Sequence, residues 1–342
     1  MKTWNGYQKG INLGGWLSQC DHTQERYDTF ITAKDFEIIK GWGADHIRLP
    51  IDYELVETND GTPIESGYKR IEFAIDCCKN NGLNMILDLH KTFGYSFYEG
   101  DGEKGFFDDE KLQERFYVLW ERLAERYGNI GDTLAFELLN EVTDKSYCDG
   151  WNRISNECIG RIRKIAPSIK ILVGGYYNNS VEAVKDLAMP YDENVIYNFH
   201  CYEPLIFTHQ GAAWIPTMDT SFRISVDAPY KEMDIAGEKM LQQVTTGFKG
   251  FSPDDTLSEA YFESIFAEAI KVAEERNVAL YCGEYGVIDH VEPCNIVKWY
   301  KIINSVFKKY GIGRSLWSYK SMNFGISDPF MDEERNELLK YI

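Results

Sequence analysis

Two glutamates stand at the ends of apolar segments, at positions where packing alone gives no reason for a carboxylate. Glu141 closes the segment FELLNE, directly after Asn140, and Glu284 closes the segment ALYCGE. Two carboxyl groups on opposite sides of one cleft suit the cleavage of a glycosidic bond. One of them must be protonated to donate to the leaving oxygen, and the other must be ionised to attack the anomeric carbon. Enzymes that retain anomeric configuration hold the two groups about 5 to 5.5 Å apart.

Other polar or aromatic side chains also stand where apolar segments end. Arg48 could keep a neighbouring carboxylate ionised by charge and hydrogen bonding, and Tyr202 could donate to the same carboxylate. Trp317 offers an aromatic face of the kind that packs on the C–H face of a β-glucosyl ring. Some of these strand-end residues also have a structural interpretation. Arg48 would suit a salt bridge within the barrel, Trp317 would suit a core position, and Asn12 would suit either a structural or a binding role.

The histidines raise the question of a metal site. His90 and His200 stand at predicted strand ends, but the chain contains neither H-x-H nor H-E-x-x-H spacing. The histidines His22, His209 and His290 fall in predicted loops. No G-x-G-x-x-G follows the first predicted strand, which weakens a dinucleotide-binding interpretation. We therefore expect neither a metal nor an organic cofactor.

Short apolar segments alternate with amphipathic helical segments along the whole chain. The predicted strands cover residues 8–13, 46–50, 84–89, 134–139, 170–173, 195–200, 279–283 and 314–317. Apolar residues at helical spacing predict helices over 32–41, 70–81, 109–127, 151–165, 256–276 and 296–310. A strand followed by a helix, repeated eight times, predicts an α/β fold of the (β/α)8 TIM barrel type, whose functional side chains collect at the C-terminal strand ends. We expect residues 1–342 to form this single catalytic barrel.

One interval between strands is about twice as long as the others, from His200 to Ala279. The pattern predicts an inserted subdomain over residues 203–255, in the loop after strand 6 and above the cleft. Its aromatic residues are too numerous for a solvated linker. Trp214 is a candidate for substrate contact, although Trp214, Phe207 and His209 would equally suit the subdomain's own core.

The net charge of the chain limits the kinds of partner that it would bind. The chain has 54 acidic and 36 basic side chains, which gives a net charge of −18 at pH 7. Such a charge repels phosphate backbones and anionic lipid but not a neutral polymer. No apolar run is long enough to span a bilayer. We expect no nucleic-acid partner, no membrane partner and a monomer.

Cysteine usage and the N-terminus bear on localisation. The eight cysteines form no C-x-x-C pair and no regular framework, so we expect mostly buried free thiols, as in a reducing compartment. The first residues, MKTWNGYQKG, contain no apolar core of signal-peptide length. Two alternatives stay open: a cytoplasmic protein, or a secreted protein whose leader has been removed.

Seven motifs together resemble those of glycoside hydrolase family 5, in clan A. In chain order they are KGINLGGW, HIRLP, LDLH, FELLNEV, YNFHCYEP, CGEYGV and SLWSYK, one for nearly every expected strand end. The resemblance spans almost the whole chain. It is greatest for cellulases of the clostridial endoglucanase C type, because FTHQGAAW in the predicted insertion is also similar to that subgroup.

The resemblance implies roles for individual residues. Glu141 in LLNEV matches the acid/base of the family, and Asn140 matches the residue that hydrogen-bonds the 2-hydroxyl of the sugar under attack. Glu284 in CGEYG matches the nucleophile. His90 would contact sugar hydroxyls, and Trp317 would lie under the sugar ring next to the bond that is cut.

Three further residues match positions that adjust the two glutamates. By resemblance, Arg48 and Tyr202 would orient Glu284 and keep it ionised. His200 would lie near Glu141 and modulate its protonation.

The family resemblance implies a retaining endo-β-1,4-glucanase, a cellulase acting on soluble cellulose, mixed-linkage glucan and glucomannan by double displacement. Two alternatives within the family are an exo-β-1,3-glucanase, which GINLGGWL also resembles, and a β-mannanase. A third alternative is a non-catalytic barrel that only binds carbohydrate. The presence of both glutamates argues against it, because a binding module has no need for two buried carboxylates.

Overall fold

The computed structural model describes residues 1–241 and 248–342. Its eight strands are all parallel and pair in chain order, with β1 closing on β8 to complete a barrel. The strands are β1 Gly10–Asn12, β2 His46–Asp52, β3 Asn84–Lys91, β4 Leu134–Glu137, β5 Lys170–Val173, β6 Val195–Cys201, β7 Ala279–Tyr285 and β8 Gly313–Leu316. The prediction of a (β/α)8 TIM barrel is confirmed.

Helices connect most of these strands. They are α1 Gln24–Thr29, α2 Ala33–Gly41, α3 Tyr53–Val56, α4 Glu65–Asn81, α5 Glu110–Tyr127, α6 Cys148–Ile165, α7 Tyr176–Asn179, α8 Leu205–Thr208, α9 Tyr230–Met240, α10 Glu259–Glu275, α11 Pro293–Tyr310 and α12 Arg335–Leu338. Short 3-10 turns add Glu99–Asp101, Lys145–Tyr147, Val181–Asp186 and Pro329–Met331. All six helices predicted from apolar spacing are present, with ends that differ by no more than five residues.

Local signals explain where these helices begin and end. The α5 helix begins after Asp109, whose side chain accepts a hydrogen bond from the backbone N–H of Lys111 and so caps the first turn. Its apolar face, with Trp120 at the centre, is buried against the barrel. The α4 helix ends at Gly82, which adopts the left-handed conformation (φ 60°) that favours glycine.

The regular strand–helix alternation breaks at two places, which corrects the expectation of eight full repeats. Between β5 and β6 the chain forms only the turn Tyr176–Asn179 and the 3-10 turn Val181–Asp186. After β8 the described chain forms only a 3-10 turn and the four-residue α12. The reason is local: GGYYNNS follows β5, and these turn-forming residues carry no helical apolar repeat.

The barrel interior is apolar at its N-terminal end and polar toward its C-terminal end. Ile86, Ala135 and Ile196 belong to a small buried cluster that Trp4 and Tyr7 close from below, with their rings stacked 3.8 Å apart. Two residues further along β3, β4 and β6, the side chains that point to the same inner face are polar. They are Asp88, Glu137 and Asn198. The apolar layer supports the polar layer from beneath.

The segment after β6 carries α8, α9 and an apolar cluster that includes Ile206, Met233 and Met240. Residues 242–247 of the predicted insertion lie outside the described residues. That 203–255 form a subdomain therefore stays a prediction. In the described part of the chain, no helix is both long and apolar enough to cross a membrane. All eight cysteines are free thiols, and five of them are buried.

Candidate active site

Glu141 and Glu284 meet at the C-terminal end of the barrel. One carboxyl oxygen of each lies within 4.8 Å of the other and of a ring nitrogen of His200. The three residues line a cleft of about 860 Å³ that opens at the barrel mouth. The pairing inferred from the sequence is thus present as a close approach of two carboxyl groups in the folded chain.

Glu284 lies within β7, one residue before its end, and receives two hydrogen bonds. Arg48 Nη1 donates to its Oε1 at 2.8 Å, and the Tyr202 hydroxyl donates to its Oε2 at 2.8 Å. Burial and the neighbouring Glu284 carboxylate raise the pKa of Tyr202 well above its usual value, so Tyr202 remains a donor. The preceding Gly283 has no room for a side chain, because an added Cβ would lie 2.8 Å from Asn198 Oδ1.

Glu141 lies four residues beyond the end of β4 and also accepts two hydrogen bonds. His200 Nδ1 lies 2.8 Å from its Oε1, and the Asn178 amide donates to its Oε2 at 2.9 Å. Burial raises the pKa of Glu141, although the Asn178 bond acts in the opposite direction. Burial also lowers the pKa of His200 to about 4, so this imidazole is neutral near pH 7.

Arg48 joins the site from beneath. It is fully buried, and its guanidinium makes a two-pronged contact with Glu137, at 2.7 Å from Nε and 2.8 Å from Nη2. Its remaining N–H groups reach Glu284 Oε1, Asn12 Oδ1 (2.9 Å) and Asn140 Oδ1 (2.7 Å). Because the oxygen of Asn140 accepts from Arg48, the amide nitrogen of Asn140 is left to face the cleft.

His90 and Trp317 form one wall of the cleft. Their rings are nearly parallel, with an interplanar angle of 4° and centroids 5.8 Å apart. Burial alone would lower the pKa of His90, but the Asp88 carboxylate, 2.6 Å from its Nδ1, raises that pKa above its usual value. Trp317 therefore lines the cleft rather than belonging only to the core.

The structure distinguishes the aromatic residues of the predicted insertion that the sequence left open between substrate contact and core packing. Phe207 is buried in the main core, whereas His209 and Trp214 line the cleft. Trp214 is half exposed, 48% of its surface being accessible, and its ring contacts that of His209 edge-on at 6.0 Å. Trp16, after β1, is buried in the core and does not line the cleft.

Several residues of the site went unrecognised in the sequence. Glu137 is a charged residue inside an apolar strand, which was a usable signal, and Asn198 donates to it at 2.8 Å. Asn178 gave no signal, because it lies in a turn five residues after β5 rather than directly at the strand end. His22, placed in a loop, lies 3.2 Å from the buried Asp52 carboxylate at the edge of the same cleft.

Two groups of described residues have the spacing to chelate a cation. One is Glu141, His200 and Glu284 itself, and the other is His22, Asp52 and Glu54. In the second group, the Lys91 ammonium already contacts Oε1 of Glu54 at 2.5 Å and would compete with a metal. Neither group alters the expectation that the chemistry rests on carboxyl groups.

Comparison with known proteins places this site in a family context. The family model for cellulase, glycosyl hydrolase family 5, matches residues 5–323. Cellodextrinase A of Ruminococcus flavefaciens is 51% identical over 309 residues, which cover 90% of this chain and 84% of that protein. Endoglucanase C of Acetivibrio thermocellus is 36% identical over 324 residues, which cover 94% of this chain and 93% of that protein.

A solved structure supports the fold independently. Thermotoga maritima Cel5A, crystallised in complex with mannotriose, superposes with a TM-score of 0.77 over 100% of both chains at 24% identity. The family model covers all eight strands described above. The chain belongs to the cellulase family of glycoside hydrolases, glycosyl hydrolase family 5.

Proposed function

We propose that this protein is a retaining endo-β-1,4-glucanase in which Glu141 is the acid/base and Glu284 is the nucleophile. The observation that carries the proposal is the approach of the two carboxyl groups to within 4.8 Å. This close approach of the nearest oxygens fits a retaining pair better than the separation of about 6.5 to 9.5 Å that an inverting enzyme keeps for a water. It suits direct attack on the anomeric carbon and a covalent glycosyl-enzyme.

The surroundings of the two carboxyl groups support their separate roles. Glu284 accepts hydrogen bonds from Arg48 and Tyr202, which hold its carboxyl group in a fixed position for attack. Glu141 is buried beside the neutral imidazole of His200, and burial raises its pKa. Glu141 would protonate the leaving oxygen while Glu284 attacks, and would then take a proton from the incoming water.

Substrate positions follow from the remaining residues of the cleft. The amide nitrogen of Asn140 would donate to the 2-hydroxyl of the sugar under attack, and Trp317 would pack against its ring. His90 would contact hydroxyl groups. The half-exposed Trp214 would hold a sugar on the other side of the scissile bond, which is the arrangement expected for cleavage within a chain.

A second candidate function is the hydrolysis of short cellodextrins, which the 51% identical relative named cellodextrinase A favours. We propose soluble cellulose, mixed-linkage glucan and glucomannan as polymeric substrates and a monomer as the active form. The same chemistry would serve both functions. They differ only in whether long chains enter the cleft.

The test is a time course of products, resolved by chain length, from mixed-linkage glucan, carboxymethylcellulose, glucomannan, laminarin and cellopentaose. Early release of mixed oligosaccharides from mixed-linkage glucan and carboxymethylcellulose would support the endoglucanase. Cleavage of cellopentaose alone would support the cellodextrinase. Glucose alone from laminarin would indicate an exo-β-1,3-glucanase, and cleavage of glucomannan alone a mannanase. Proton NMR of the first products should show the β-anomer, whereas the α-anomer would contradict retention.

Glu141→Ala and Glu284→Ala supply the matching residue test. Each should lower kcat on polymer by at least about 10³-fold, since each removes a group that forms or breaks a bond in the transition state. Circular dichroism should show an intact fold. Wild-type turnover in either variant would reject the assignment, and inactivity of the wild-type protein on every glucan would favour a barrel that only binds carbohydrate.

A further inference from the structure

We propose that Asn178, a residue outside the matched motifs, is a positioning residue for Glu141: its side-chain amide holds the Glu141 carboxyl group in place and favours the ionised form. This inference rests on the proposed function of Glu141 as acid/base. The contact that motivates it is the hydrogen bond from Asn178 Nδ2 to Glu141 Oε2, at 2.9 Å. With His200 on Oε1, each oxygen of the carboxyl group has its own partner.

The backbone that presents Asn178 is unusual. Three consecutive non-glycine residues are left-handed, with φ of 51° at Tyr177, 56° at Asn178 and 55° at Asn179. Such conformations cost energy for most residues, although asparagine tolerates them better than others. A strained turn persists only where surrounding contacts hold it, and it is found most often at functional sites.

The turn is held by the segment that carries Glu141. The Asn178 N–H donates to the carbonyl of Val142 at 2.9 Å, and the Asn179 amide donates to the carbonyl of Asn140 at 2.5 Å. The Tyr95 hydroxyl donates to the carbonyl of Glu141 itself at 2.7 Å. Because the carbonyls on both sides of Glu141 bind the turn, the backbone and the carboxyl group of this glutamate are fixed as a unit.

Asn179 also indicates which ring nitrogen of His200 carries the proton. Its amide nitrogen lies 3.4 Å from His200 Nε2 while it donates to the Asn140 carbonyl, so Nε2 faces a donor and acts as the acceptor. The ring proton is then on Nδ1, directed at Glu141. Both partners of the Glu141 carboxyl group are therefore hydrogen-bond donors, and donors stabilise a carboxylate more than a carboxylic acid.

The consequence for the reaction is a balance between its two steps. Burial favours the protonated Glu141 that the first step consumes, while the amide of Asn178 favours the ionised Glu141 that accepts a proton from water in the second step. An amide does not titrate, so its effect on the pKa of Glu141 is constant with pH.

Several titratable groups on neighbouring elements also face Glu141. They are Arg48, His90, Tyr95, His200, Tyr202 and Glu284.

The experiment compares the pH dependence of kcat/KM on a soluble glucan for wild type and Asn178→Gly. Glycine fits the left-handed backbone and removes only the side chain. Loss of one donor to a carboxylate should raise the pKa of Glu141, so the basic limb of the profile should move about one unit toward higher pH. Asn178→Asp should move it at least as far, because it places a second carboxyl group beside Glu141.

The matched control is Asn277→Gly, the same substitution at a left-handed asparagine (φ 51°) in the turn between α10 and β7. Its profile should match that of the wild type. If kcat/KM falls in Asn178→Gly and Asn178→Asp while both limbs stay in place, the role is merely structural and the inference is rejected. If Glu141→Ala keeps its turnover, the proposed function itself fails, and the two failures are thereby distinguished.

Discussion

Arg48 shows how this barrel accommodates a fully buried charge. The guanidinium has five N–H groups, and every one of them has an acceptor among Glu137, Glu284, Asn12 and Asn140. The Asp88 carboxylate adds a further contact at 3.0 Å. Burial opposes the charge of Arg48, but the neighbouring carboxylates Asp88 and Glu137 raise its pKa well above the usual value.

Removal of this charge should destabilise the protein. Arg48→Met would leave several buried carboxyl groups without their cation, and the free energy of unfolding should fall by about 3 to 5 kcal/mol. Arg48→Lys keeps the charge but has three donors in place of five, so it should lose less stability. Urea denaturation, followed by tryptophan fluorescence, measures both. Wild-type stability in Arg48→Met would show that the hydrogen-bond network makes no net contribution to the free energy of unfolding.

At the scale of elements, the loop between β1 and α1 is held to the barrel by one buried carboxylate. Asp52 Oδ1 accepts from the hydroxyl of Ser18 at 2.8 Å, and Oδ2 accepts from the Gln19 N–H at 3.0 Å. His22 Nε2 lies 3.2 Å from Oδ2. Both Gln19 and His22 are left-handed, with φ of 51° and 53°. The Asp52 carboxylate therefore holds two strained residues at the edge of the cleft.

This loop predicts a specific dependence of stability on pH. Burial alone would lower the pKa of His22, but the hydrogen bond with Asp52 and the nearby Cys20 raise it from 6.5 to about 10. Because the folded-state value is the higher one, the stabilisation by His22 is complete below pH 6.5 and is lost as pH rises through 10.

We therefore expect His22→Asn to lower the free energy of unfolding by about 2 kcal/mol near neutral pH, the strength of a hydrogen bond to a charged group, and by much less at alkaline pH. Chemical denaturation of both proteins at several pH values measures this difference. A difference that stays constant with pH would mean that His22 is uncharged in the folded protein.

At the scale of the whole molecule, the charge of −18 should influence which polymers approach the cleft. Carboxymethylcellulose is an anion, whereas mixed-linkage glucan is neutral. Long-range repulsion acts over a Debye length of about 30 Å at 0.01 M ionic strength and about 8 Å at 0.15 M. Repulsion of the anionic polymer should therefore weaken with added salt.

We expect kcat/KM on carboxymethylcellulose to rise a few-fold between these two ionic strengths, while the value on mixed-linkage glucan stays constant. Reducing-sugar assays on both polymers at matched pH measure the effect, and the neutral polymer serves as the control for general salt effects. Equal responses of the two substrates would contradict an electrostatic origin.

The amino-acid sequence by itself predicted the barrel and most of the candidate site residues. Strand and helix periods are local properties, and eight apolar strands in alternation with amphipathic helices leave few arrangements other than a closed parallel barrel. Once that closure is inferred, residues at and just beyond the strand ends are expected at the cleft, where Asn140, Glu141 and Glu284 lie. Arg48, inside β2, lies beneath them. Between β5 and β6 the chain forms only the short α7 and a 3-10 turn in place of a full helix, because glycine and asparagine are frequent directly after β5.

Only the tertiary structure decided how these residues meet. Glu141 and Glu284 come from β4 and β7, so they approach each other only once the barrel closes. The pairing of β7 with β8 also shifts register between Cys282 and Tyr285, around Glu284. Glu137 became a partner of Arg48 because strand alternation turned both side chains inward. Asn178 reached Glu141 through a left-handed turn held by distant carbonyl groups. Contacts of this kind join residues far apart in the chain, so they exist only once the barrel has closed.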